Sequence, residues 1–68
     1  MWLCVISNKH TKKEIASYEL EARNAYHAED SASEMFETEL RHKPRLRAQY
    51  ADLHAKGHCM IEVCDIGD

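Results

Sequence analysis

Glu14-Ile15-Ala16-Ser17-Tyr18-Glu19-Leu20-Glu21-Ala22 is the stretch on which the fold turns. Read with a period of two, Ala16, Tyr18, Leu20 and Ala22 fall on one side and Ser17, Glu19 and Glu21 on the other. That is the alternation of a half-buried strand. Ile15 alone interrupts it. Read with a helical period, Thr11 and Glu14 make a capping box, and Ile15, Tyr18, Ala22 and Ala25 line up, but Leu20 falls off that stripe. A helix running from Lys12 through to His42 would also be very long for a chain of 68 residues. Without this segment only two strands remain, and a two-stranded sheet is marginal on its own. Residues 14–22 are therefore read as a strand. The alternative is a β-α-α-β chain with residues 12–29 helical.

Downstream, Asn24 is placed to cap a helix, because its side chain accepts readily from a backbone N–H of the first turn. Ala25, Ala28, Ala32, Met35, Phe36 and Leu40 then recur at spacings of three and four, which puts one apolar stripe on one side of that helix. Asp30, Glu34 and Glu37 carry the other side, with Glu29 and Ser33 along one edge. Glu39 does not fit, since it projects beside the apolar stripe. Lys43 precedes Pro44 and is steered away from the α region, which ends the helix near His42. Pro44 suits the first residue of a second helix. Its stripe of Leu46, Tyr50 and Leu53 is narrow, with Gln49 among them, and Gly57 suits the position just past its end.

Cys59 to Ile66 reads as the last strand, with Ile61 and Val63 on one face and Met60, Glu62, Cys64 and Ile66 on the other. Gly67-Asp68 is a tail. Upstream, Trp2-Leu3-Cys4-Val5-Ile6 is apolar on both faces, which places it in the middle of a sheet. Ser7 to Lys13 is polar and reads as a loop. The expected architecture is thus α+β: a single two-layer domain over residues 1–68, ordered β-β-α-α-β, with two helices packed on one face of a three-stranded sheet.

The expected core is Leu3, Val5, Tyr18, Leu20, Ala28, Ala32, Met35, Phe36, Leu40, Leu46, Tyr50, Leu53, Ile61 and Val63. With Leu3 and Val5 facing the helices, Trp2, Cys4 and Ile6 point away, joined by Ile15, Met60, Cys64 and Ile66. A contiguous apolar face on so small a domain marks an interface; the alternative reading is a swapped register, or the second helix packing on that side. Trp2, Ile6, Ile15, Met60 and Ile66 are accordingly candidate contacts for a protein partner or for a second copy in a homodimer.

Composition narrows the class. With 44% hydrophobic and 31% charged residues the chain is too apolar to be disordered, and a net charge of −3 is not that of a strongly basic nucleic-acid binder. Cys4, Cys59 and Cys64 are an odd number of cysteines. The apolar run Trp2–Ile6 is too short for a secretory segment, and none is long enough to cross a bilayer. A reducing, cytoplasmic setting is expected, with no membrane contact.

Nothing in the sequence specifies catalysis. The glycines are Gly57 and Gly67, so there is no phosphate-cradling loop. The helical carboxylates are spaced for a solvated surface rather than an acid–base pair. No enzyme and no cofactor are expected. His54, His58, Cys59 and Cys64, with Cys4 as a spare ligand, raise the question of zinc. Cys59 and Cys64 stand an odd number of residues apart on one strand and so point to opposite faces, and no C-x₂-C is present. A metal is therefore not expected, and a small metal-binding domain is kept only as a third reading.

Two charged features remain. Arg41, Lys43, Arg45 and Arg47 crowd around Pro44, where they can meet phosphates or complement the end of the preceding helix. Glu29, Asp30, Glu34 and Glu37, with Glu19 and Glu21 on the strand before, can steer association with a basic surface. The leading expectation is a small non-enzymatic protein–protein interaction protein, an inhibitor or adaptor of a larger host complex, including one that handles nucleic acid. By analogy of size and architecture alone, this extends to a phage or mobile-element anti-defence (anti-CRISPR-like) protein. The runner-up is a small nucleic-acid-binding regulator using the basic turn around Pro44. Direct nucleic-acid binding is the less expected of the two, because no motif of a nucleic-acid module fits.

Overall fold

The computed structural model describes residues 1–67; Asp68, the end of the expected tail, lies outside the described residues. The chain forms β1 (Trp2–Asn8), β2 (Glu14–Leu20), α1 (Ala25–His42), α2 (Pro44–Ala55) and β3 (Cys59–Asp65). Residues 14–20 are extended, as their alternation predicts. β1 is the middle strand, antiparallel to β2 on one side and to β3 on the other.

The hairpin between β1 and β2 is tied at its tip. The Asn8 N–H donates to the Lys13 carbonyl (2.9 Å) and the Lys12 N–H to the Asn8 carbonyl (2.8 Å). The Asn8 side-chain oxygen accepts from the N–H groups of His10 (2.8 Å) and Thr11 (3.1 Å), a bond pattern that makes asparagine a turn residue. Further down, Ile6 lies opposite Ala16 but Ser7 lies opposite Glu14, so Ile15 is the extra residue of a β-bulge. The bulge accounts for the break in alternation: Ile15 and Ala16 both pack toward the helices.

α1 starts where expected, with the Asn24 side chain accepting from the His27 N–H at 2.9 Å. Its buried residues are Ala28, Ala32, Phe36 and Leu40, a strict series of fours. Such a series drifts around the helix by about 40° per step, so α1 buries a slanting line. Met35 falls beside that line and is 42% exposed, not in the core. α2 begins on Pro44 and is closed just past its end by Gly57 at φ 74, with the Gly57 N–H on the His54 carbonyl and the His58 N–H on the Leu53 carbonyl, both at 3.0 Å. Those two bonds satisfy carbonyls that the helix end would otherwise leave open.

One face is reversed from the expectation. Cys4 and Ile6 face the helices, 0% and 1% exposed, whereas Leu3 and Val5 are half-buried on the outer face. β1 has no alternation of its own, so its neighbours decide. Cys4 is paired with Tyr18 and Val63, and Ile6 with Ala16 and Ile61, so the inward faces of β2 and β3 carry Cys4 and Ile6 with them.

The core has two halves. In one, Cys4 packs with Ala28 and Ala32, and its Sγ–H donates to the Ala28 carbonyl at 3.6 Å. In the other, Ile6 packs with Phe36 and Leu40, and Leu46 and Tyr50 of α2 close over them. Tyr18 and Ile61 pack against both. α2 has no fully buried residue. The Phe36 ring meets His54 edge-on, with centroids 5.4 Å apart.

Candidate functional site

Apart from Glu39, the acids of α1 lie on its solvent side. Glu29, Asp30, Glu34 and Glu37 are all exposed. Glu37 Oε1 lies 3.4 Å from His54 Nε2, and among the described residues the other three have no ion-pair partner. Glu19 does not join them: it pairs with Leu3, on the outer face of the sheet. Glu39, the acid that broke the helical pattern, is half-buried and structural. Its Oε2 accepts from the Tyr18 hydroxyl at 2.9 Å, and Lys43 Nζ lies 3.5 Å from its Oε1. Burial first, and the Glu39 carboxylate second, hold the Tyr18 proton well above the ordinary tyrosine range.

The apolar interface expected on the sheet is not assembled. Ile6 is buried in the core, Ile15 packs against it, and Trp2 is half-buried, its Nε1–H donating to the Ala22 carbonyl at 3.1 Å. Only Met60 reaches the outer face, with Lys12 Nζ 3.8 Å from its sulfur, while Ile66 lies exposed beyond the end of β3. The outer face is a short apolar centre of Leu3, Val5 and Met60, bordered by Ser17, Glu19, Glu62 and Cys64. The reason is again the reversal of β1, which turns its largest side chains inward.

Arg41, Lys43, Arg45 and Arg47 are all exposed around the α1–α2 turn. Lys43 is paired with Glu39; among the described residues the three arginines are in no ion pair. His42, Lys43, Pro44, Arg45, Leu46 and Gln49 line an open groove of about 660 Å³ here, with Pro44 and Leu46 as its apolar lining.

The cysteines and histidines are dispersed. Cys59 faces the helices and Cys64 the outer side, as their odd spacing requires. Cys4 and Cys64, expected on one face, are on opposite ones, because Cys4 pairs with Val63 and Cys64 with Leu3. Burial pushes the Cys4 and Cys59 thiols up. Among the described residues no three His, Cys, Asp or Glu side chains converge on a point, and no helix is long and apolar enough to cross a membrane.

One contact has no local signal in the sequence. His10 Nε2 and His58 Nδ1 are 2.6 Å apart, with ring centroids at 4.7 Å, and the Lys9 N–H donates to the His58 carbonyl at 2.7 Å. The hairpin tip is thereby clasped to the turn before β3. Comparison with protein families, with curated proteins and with solved structures finds no match to this chain.

Proposed function

We propose that this domain is a small non-enzymatic binding protein, an inhibitor or adaptor that lays the acidic face of α1 on a basic surface of a larger complex. The observation that supports it is the exposure of Glu29, Asp30, Glu34 and Glu37 along a helix anchored from below by Ala28, Ala32, Phe36 and Leu40. Charges on a rigid, packed helix bind with little ordering cost, and a surface of one sign raises the on-rate for the opposite sign. A complex that itself holds nucleic acid presents such a basic surface. An anti-defence protein of a phage or mobile element is one setting in which that mimicry of a phosphate backbone is useful.

Affinity capture from lysate with the intact tagged chain tests it, read by mass spectrometry against a Glu34→Lys, Glu37→Lys variant whose helicity is checked by circular dichroism. The expected result is a partner complex retained by the native chain, released by salt, and lost from the folded variant. A folded variant that captures the same complex equally well overturns the reading.

A further inference from the structure

The cations of this acidic chain gather at one end. Of nine lysines and arginines, eight fall in residues 9–13 and 41–56, and Arg23 is the exception. In sequence they belong to three separate turns: the hairpin tip (Lys9, Lys12, Lys13), the α1–α2 turn (Arg41, Lys43, Arg45, Arg47) and the turn before β3 (Lys56). The fold joins the first to the third directly and holds the second one α2 length away, about 18 Å along that 12-residue helix. The clasp between Lys9 and His10 on one side and His58 on the other joins the first turn to the third. Leu40 and Leu46, on either side of the second turn, pack around Ile6 with Ile15 and Cys59, which adjoin the other two. Glu14, opposite Ser7, and Glu39 and Asp52, paired with Lys43 and Lys56, share this end, while Glu19, paired with Leu3, and Asp65, paired with Trp2, lie at the other.

All eight cations are exposed, and among the described residues only Lys43 and Lys56 are in ion pairs, with Glu39 and Asp52. Six like charges without an internal partner repel one another, so the folded chain gains nothing from collecting them. A ligand with negative charges repeating along its length gains from the hairpin tip and the α1–α2 turn at once, where a single phosphate or carboxylate meets only one; the third turn's Lys56 is already paired with Asp52. Arginine forks match phosphate oxygens in pairs, and the Pro44–Leu46 lining of the neighbouring groove offers apolar surface to a sugar or base.

We infer that this pole, through the hairpin tip and the α1–α2 turn, binds the phosphate backbone of a nucleic acid. It rests on side chains other than those of the acidic α1 face, so either reading can fail without the other.

Fluorescence anisotropy of the intact chain with a labelled single strand and the matching duplex, over a salt series, tests it. Engagement of six cations gives a slope of log affinity against log salt of about −4 for the single strand and about −5 for the duplex. Arg45→Ala with Arg47→Ala, and separately Lys9→Ala with Lys13→Ala, each flatten that slope by roughly 1 to 2 and weaken binding about tenfold at low salt, with melting temperature unchanged. No binding at the lowest salt overturns the inference. So does retention on heparin without binding to nucleic acid, or equal affinity for polyglutamate. An effect of the arginine pair without one of the lysine pair overturns the joining of the two turns into one pole.

Discussion

The two halves of the core use the same helix and the same sheet to opposite ends. Around Cys4, α1 offers Ala28 and Ala32, side chains too small to hold the layers apart, and the cysteine sulfur reaches the helix backbone at 3.6 Å. Around Ile6 the same helix offers Phe36 and Leu40, and α2 leans in with Leu46 and Tyr50. The layers therefore form a wedge, narrow at the start of α1 and wide at its end. The difference teaches why α2 exists. It buries no residue completely, yet the wide half would stand open to water without it.

Emptying the wide half breaks this comparison most severely. Phe36→Ala is expected to cost about 3–5 kcal/mol, as deletion of a buried ring generally does. A domain of this size holds only about 3–5 kcal/mol in all, so the variant should lose cooperative unfolding in urea, followed by circular dichroism. A native-like midpoint would show that Phe36 does not prop the layers.

Overfilling the narrow half is the next largest effect. Ala32→Leu has no room beneath it and is expected to lower stability by about 1–3 kcal/mol in the same urea titration. An unchanged midpoint would mean that the layers are not close there.

The smallest effect sharpens the seam between the halves. Tyr18 touches both clusters and donates to Glu39. Because the folded chain holds the Tyr18 proton more tightly than the unfolded chain does, this contribution is fully present below about pH 10, where free tyrosine ionises, and is lost as the pH rises above it. Tyr18→Phe should cost about 1 kcal/mol at neutral pH and flatten the decline above pH 10. The buried Cys4 and half-buried Cys59 thiols, also raised, begin a decline of their own from about pH 8.5, and the variant keeps it. An unaltered curve above pH 10 would remove Tyr18 as its cause.

The residues that start, bend and stop the chain were legible in the sequence. Asn24, Pro44 and Gly57 act through their own backbone chemistry, which a neighbour does not change, and the inward faces of β2 and β3 follow from their alternation. The orientation of β1 was not legible, because Trp2–Ile6 is apolar on both sides and only pairing with Tyr18 and Val63 decides it. Met35 was misplaced because threes and fours look alike in a stripe, while the helix buries only the fours. Ile15 and Glu39 were visible as exceptions, and a bulge and a tyrosine hydroxyl explain them. Of the surfaces, the acidic face of α1 and the Pro44 turn could be read, since each lies within one local segment. The clasp of His10 on His58 and the joining of two basic turns into one pole depend on residues far apart in the chain.

The order β2-β1-β3 has a consequence for assembly. β1 meets β2 through a short hairpin, a local event that closes in microseconds, but its other ladder waits for residues roughly fifty positions later. During that interval the greasiest strand presents an open row of amides and carbonyls to any chain nearby. Misassembly is therefore a hazard of youth for this molecule, and arrival of the last strand ends it.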